Sequence, residues 1–286
     1  MRRIGFIGTE NSHTDHFLRL LNTEARHPGF RGTALAGGSG PRNNQLAETY
    51  GVDVVVEDPA DLLGRVDAAI VSTRDGARHR EQALPLLEAG VPVLVDKPLA
   101  TTTADAEALL EVAGRSGAPL VSCSALRFVP EMPDLRDGEA GPVRAVHVVG
   151  PADPDSEHSG LFFYGIHHVE AALEILGNPA VAAGSLDVTA VRHGDTTVAS
   201  TWIGGAAVTL TFVTPTDTHR APFHATVVRP GSVVARELTL GPDYNAPALA
   251  RFIAAAEGGT APDDGALLAP VAVLESVVHA LGKDHR

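Results

Sequence analysis

The chain has 286 residues, which at roughly 150 residues per domain suggests two domains. Hydrophobic residues make up 44% and charged residues 20%, ordinary values for a globular protein that exclude disordered and collagen-like classes. Lys+Arg number 22 against 35 Asp+Glu, and the resulting charge of −13 repels phosphate backbones and anionic membranes, so neither nucleic acid nor membrane is an expected partner. The single cysteine, Cys123, has no internal disulfide partner and fits a reducing compartment. The apolar stretch 4–8 after Met1-Arg2-Arg3 is too short for an export signal. No run reaches the ~18 consecutive apolar residues of a membrane span. A cytoplasmic protein is therefore expected.

In chain order, short apolar runs rich in Val and Ile occur at 4–8, 33–36, 52–56, 68–72, 91–95 and 120–122. Helix-like stretches at 15–21, 44–50, 80–89 and 103–115 lie between most of them. Continuous apolar strands separated by helices predict a parallel sheet covered on both faces. Right-handed crossovers make it a doubly wound, Rossmann-like α/β fold with its ligand crevice at the carboxyl ends of the strands. From Pro142 onward the pattern changes. Strand-like runs at 143–149, 198–203, 206–213, 224–229 and 233–240 are separated by short breaks, with a hairpin tip at Gly204-Gly205. Helices are expected near 166–176, 244–257 and 265–281, and a mobile acidic loop at 151–159. The prediction is a dinucleotide-type domain over 1–125 and an α+β domain with a mostly antiparallel sheet over 126–286.

The first βα turn reads Gly5-Phe6-Ile7-Gly8-Thr9-Glu10-Asn11-Ser12-His13. A dinucleotide fingerprint needs three glycines, for a tight turn, close pyrophosphate approach and helix–strand packing. Only Gly8 survives; Glu10 and His13 stand at the second and third positions. A carboxylate about 4 Å from one phosphate charge costs about 1 kcal/mol in water-like surroundings and about 4 kcal/mol at an effective dielectric of 20. Ser12-His13-Thr14-Asp15 fits a capping box, so a helix still starts here. Gly8, Thr9, Asn11 and Ser12 are the candidate cofactor contacts in this turn; the plain alternative is a capped helix after a polar turn. The second strand ends Ala36-Gly37-Gly38-Ser39-Gly40-Pro41-Arg42. It lacks the acidic residue that holds an NAD ribose, whereas Ser39 and Arg42 suit a 2′-phosphate, so NADP is favoured over NAD. The alternative there is a flexible turn with a solvated arginine.

Val93-Leu94-Val95-Asp96-Lys97-Pro98 is the strongest local feature. A lysine directly after a buried strand lies at the crevice end of the sheet, and Pro98 keeps it extended. A desolvated ammonium there can polarise a substrate oxygen and donate a proton; a Lys97–Asp96 surface pair is the alternative. The histidines at 13, 16, 158, 167 and 168 show no HExxH or paired-cysteine spacing, so no metal is expected.

With residues 66–71 and His79 before it, Asp96-Lys97-Pro98 resembles the Glu-Lys-Pro motif of the Gfo/Idh/MocA family of NAD(P)-dependent oxidoreductases. Ala125-Leu126-Arg127-Phe128 is similar to that family's Arg-aromatic segment. Gly141-Pro142-Val143 is similar to its turn into the second domain, and Gly165-Ile166-His167-His168-Val169-Glu170 to its histidine helix. The resemblance spans nearly the whole chain. It implies hydride transfer between NAD(P) and a carbinol or carbonyl carbon of a small sugar-like molecule, with Lys97 and His167 catalytic. It places Ser72, Thr73, His79, Asp96 and Lys97 around the cofactor, and Arg127, Phe163 and His168 toward substrate. The family's Asp, four residues before the histidine, falls on Phe163, so His167 acts alone or with His168. Glu170, three residues further on, can set its tautomer; a satisfied core histidine is the alternative. The resemblance also implies a homodimer or homotetramer through the second-domain sheet. Two other readings stay open. One is a cofactor-free acid/base enzyme (lyase, isomerase or hydratase), and the other is a non-catalytic small-ligand-binding relative.

Overall fold

The structure, a computed structural model, describes residues 1–138 and 140–283. The chain divides into two compact units. The first comprises Met1–Ala100, Ala104–Cys123 and Asn245–Pro262; the second comprises Thr101–Thr103, Ser124–Tyr244 and the residues from Asp263 on.

In the first unit, β1 (Arg2–Ile7), β2 (Phe30–Ala36), β3 (Val54–Val56), β4 (Ala68–Val71), β5 (Val93–Val95) and β6 (Leu120–Val121) form one sheet in the order β3-β2-β1-β4-β5-β6. Every pairing is parallel. This is the doubly wound order, and its switch point between β1 and β4 opens the crevice at the strands' carboxyl ends. Helices α1 (Ser12–Leu18), α2 (Gly40–Tyr50), α3 (His79–Glu88) and α4 (Thr103–Ser116) alternate with the strands. A π-helical turn, Arg19–Thr23, continues α1. Ile4 and Phe6 of β1 pack with Phe17 and Leu18 of α1 and with Leu35 and Leu46 in one buried cluster.

In the second unit, α5 (Met132–Arg136) precedes β7 (Ala145–Pro151), α6 (Gly165–Ile175) and β8 (Thr189–His193). The strands β9 (Thr196–Ile203), β10 (Ala206–Val213), β11 (His224–Arg229) and β12 (Ser232–Glu237) follow. The sheet order is β12-β11-β7-β10-β9-β8. The β9–β10 hairpin turns at Gly204 and Gly205, whose φ of 58° and 83° both lie in the left-handed region that a type I′ turn requires. The central β7–β10 pair is parallel and the remaining pairs are antiparallel. The parallel pair arises because the chain crosses over through α6, which packs on both β7 and β10. The strand β8 has no counterpart among the sequence-predicted runs.

Two helices close the chain: α7 (Ala246–Ala256) and α8 (Asp264–Lys283). A single boundary near residue 125 does not describe the units, because α7 returns to the first one. Its Leu249, Phe252 and Ile253 form an apolar stripe at helical spacing and join the cluster around Phe6 and Phe17. By length and composition α8 is apolar enough to cross a membrane. Here Leu267, Val271, Leu274 and Val277 are buried, and the helix packs on α6 and β8.

Candidate functional site

The turn after β1 is built on Gly8, whose φ is 83°. A Cβ there would lie 2.2 Å from the Thr73 backbone nitrogen, so only glycine fits this approach of two loops. Thr9 is fully buried, and its hydroxyl donates to Asn43 Oδ1 at 2.5 Å. The N-cap of α1 is Asn11, not Ser12: Asn11 Oδ1 accepts from the His13 N–H at 3.1 Å, while Asn11 Nδ2 donates to the Ser72 carbonyl at 2.9 Å. Asn11 displaces Ser12 because its longer side chain serves the cap and the neighbouring strand loop together. Ser12 opens α1 and is exposed.

Glu10 turns toward the loop after β4, where its Oε1 accepts the Arg74 backbone N–H at 3.1 Å. Ser39 caps α2 by accepting from the Arg42 N–H. Arg42 pairs with Asp15 and donates from Nε to the Thr9 carbonyl at 3.1 Å, so it is not the solvated cation expected of a loose turn. Ser72 is fully buried; its hydroxyl reaches the carbonyls of Ile7 and Gly8 at 3.2 Å and the Thr14 hydroxyl at 2.9 Å. The Thr73 hydroxyl donates to Gln82 Oε1 at 2.7 Å. Several predicted cofactor contacts therefore tie the crevice loops to one another.

Lys97 follows β5 directly and is buried, with a cis bond to Pro98. Asp96 faces His13: Nδ1 to Oδ2 is 2.7 Å. Burial by itself would raise the Asp96 carboxyl, but the attraction and hydrogen bond of His13, with Lys97 beside it, hold it well below the usual carboxylate range. His79 is fully buried with ring nitrogens 2.7 Å from the Pro98 carbonyl and 2.8 Å from the Thr73 carbonyl. Burial lowers its pKa against the pull of those carbonyls. His79 thus spans the loops that follow β4 and β5.

In the second unit, Gly165–Ile175 carries both histidines. His167 Nδ1 lies 2.6 Å from the Ser124 hydroxyl. Glu170 does not set this tautomer. It accepts from the Ser124 N–H at 2.7 Å and pairs with Arg127. Arg127 is buried, and its guanidinium also holds Glu174 at 3.1 Å and Asn178, so it braces the fold rather than presenting a charge to substrate. His168 points the other way, about 100° round the helix, with its ring centroid 4.7 Å from that of Phe212 and 5.4 Å from that of Phe223. It is fully buried. Burial pushes its pKa down to about 4 against a weaker opposing effect of the Gly150 and Tyr164 backbone. It is a neutral core histidine, which corrects the substrate role expected for it. The Phe163 ring packs between His158, at 4.9 Å, and Tyr164, at 4.8 Å. Ser124 and the His13–Asp96 pair escaped sequence reading, since each contact joins residues 43 and 83 positions apart. Among the described residues, no three His, Cys, Asp or Glu side chains group as metal ligands.

The bare turn at Gly8, the deflected Glu10 carboxylate and the exposed Ser12 fit a dinucleotide at the carboxyl ends of β1 and β4. A nicotinamide held there would supply the hydride acceptor or donor.

Residues 2–123 match the family model described as "Oxidoreductase family, NAD-binding Rossmann fold". Inositol 2-dehydrogenase 2 of Saccharopolyspora erythraea is 34% identical over 194 residues, covering 63% of this chain and 55% of that enzyme. The chain thus matches little more than half the length of this relative. Two solved structures share the fold along almost the whole chain. The apo scyllo-inositol dehydrogenase of Lactobacillus casei has a TM-score of 0.82 at 13% identity, covering 99% of this chain and 97% of its own. GenD2 from gentamicin A biosynthesis, solved in complex with NAD, has a TM-score of 0.81 at 19% identity, covering 100% and 95%. Over residues 2–123, then, the chain is similar to an oxidoreductase family with an NAD-binding Rossmann fold.

Proposed function

We propose that the protein is a cytoplasmic NAD(P)-dependent dehydrogenase acting on a CH–OH group of a small polyhydroxylated ring compound such as an inositol. The observation that carries this reading is Lys97, held after β5 beside the His13–Asp96 pair in a sheet of order β3-β2-β1-β4-β5-β6. Lys97 steadies the substrate oxygen as charge develops, and His167 exchanges its proton. NADP is preferred to NAD, because β2 ends in Ala36-Gly37-Gly38-Ser39 with no carboxylate to hold the ribose diol. The first turn keeps one glycine, with Glu10 and His13 where a dinucleotide fingerprint has the other two, and this favours a second reading, a cofactor-free acid/base enzyme.

NADPH and NADH fluorescence titrations, followed by turnover on inositols and sugars, separate the two. The dehydrogenase reading expects saturable binding, nicotinamide-dependent oxidation, and an affinity gain of roughly fivefold to tenfold for Glu10→Gly, the effect of one nearby carboxylate in water-like surroundings. Neither binding nor turnover in wild type or variant would leave the acid/base reading standing.

The same protein is proposed to pair through the open face of its second sheet. Val191, Val198, Trp202 and Val233 are exposed there, Trp202 by 69%, while alternate residues of β9 are buried. Sedimentation is expected to give a multiple of 29.7 kDa, and Trp202→Glu to reduce it to the monomer. A monomeric wild type at micromolar concentration would refute the pairing.

A further inference from the structure

We propose that Ser124 is a positioning residue for His167. Its hydroxyl holds Nδ1 at 2.6 Å, so that proton exchange with the substrate oxygen falls to Nε2. The inference rests on the dehydrogenase reading for the substrate, but the geometry stands within the second unit.

Ser124 is fully buried and is fixed from two sides. Its backbone N–H donates to Glu170 Oε2 at 2.7 Å, and Glu170 is in turn paired with Arg127. Its Oγ accepts the Leu126 N–H at 3.1 Å, capping the 3₁₀ turn Ala125–Phe128. The hydroxyl therefore has little freedom, and the imidazole it holds is also wedged at 5.7 Å from the Tyr164 ring and 5.5 Å from the Phe223 ring. Around this contact, Phe163 packs on His158 and Tyr164, and Glu170 is engaged by Ser124 and Arg127.

A serine hydroxyl has one proton and two lone pairs. One lone pair meets Leu126; the other accepts from Nδ1–H when Nε2 is bare and ready to take a proton. When Nδ1 is bare the hydroxyl reverses and donates to it. A carboxylate in this place only accepts, so it favours the charged ring. Serine fixes the orientation of the imidazole without that bias.

The test uses the full-length protein, with imidazole ¹⁵N NMR as a readout that needs no substrate. In Ser124→Ala the His167 Nδ1 signal shifts as its hydrogen-bond partner is lost, and kcat with NAD(P) and an inositol substrate falls about tenfold while KM stays nearly constant, the mark of a lost proton-transfer geometry. Ser124→Thr restores both. Ser124→Asp moves the acidic limb of the pH–rate profile upward by about one pH unit, a shift that a purely structural role would not give. Should Ser124→Ala fail to fold, Ser124→Cys, which keeps the volume, carries the NMR comparison. An unchanged His167 Nδ1 signal in the folded variant overturns the proposal. A wild type without nicotinamide-dependent turnover, but with an Nδ1 shift on substitution, sinks the dehydrogenase reading and leaves the positioning contact intact.

Discussion

Substituting Arg127→Met is expected to lower the unfolding free energy by about 3–5 kcal/mol, the range for removing one partner of a buried ion pair. Arg127 lies within a network rather than a single pair. It holds Glu170 through Nε, and Glu174 and Asn178 through Nη1. Glu174 is also held by Arg136 at 2.9 Å, so it keeps a cation after the substitution. Glu170 does not; at 3% exposure it retains, among the described residues, the Ser124 N–H. The loss therefore falls mainly on Glu170, a buried charge without compensation. At roughly 2–4 °C per kcal/mol for a unit of this size, the melting temperature drops by about 10 °C. Adding Glu170→Gln to Arg127→Met removes the stranded charge and recovers part of the loss, because the amide still accepts the Ser124 N–H. Urea unfolding of wild type, single and double variants measures both effects. A single variant within about 1 kcal/mol of wild type would show that the pair is screened by solvent.

The second expected result concerns catalysis. Lys97→Met keeps the length and apolar stem of the side chain and removes the ammonium, so the fold survives. If Lys97 acts on the developing charge at the substrate oxygen, kcat/KM falls by about 10²- to 10⁴-fold, the usual scale for a positioned acid or base. The loss lies in kcat rather than KM, since the interaction strengthens only as charge develops. Cofactor titration of the variant stays close to wild type. His167→Asn gives a fall of similar size, and the double variant falls by less than the product of the two, because groups serving one proton transfer are not additive. Turnover of Lys97→Met within threefold of wild type would remove the lysine from the mechanism.

Much of the architecture was legible because it is written in local periodicity. The apolar runs near β1, β2, β4 and β5 lie within a few residues of the observed strands, and β10 and β11 coincide with the expected 206–213 and 224–229. A fully buried parallel strand needs several consecutive apolar residues and an exposed antiparallel one needs alternation; both patterns are short-range. Gly204-Gly205 gave the hairpin for the same reason, since two left-handed residues in succession favour glycine. β8 was missed because Thr189–His193 alternates only weakly, with Ala190 the one fully buried residue among exposed and half-buried neighbours.

The amino-acid sequence by itself determined the order of most strands and helices, the carboxyl end of β5 where Lys97 stands, and the choice of glycine at Gly8. Tertiary structure alone decided the partners. His13 meets Asp96 across 83 positions, Glu10 meets Arg74 across 64, and Arg127 meets Glu170 across 43. The tertiary fold also returned α7 to the first unit, and it sent two adjacent histidines to opposite ends of their expected roles: His167 to the Ser124 hydroxyl, His168 into an aromatic core. The physical reason is that a hydrogen bond or ion pair depends on distances of about 3 Å between atoms whose chain separation is unconstrained, whereas backbone propensity acts within a turn or two of the residue that carries it.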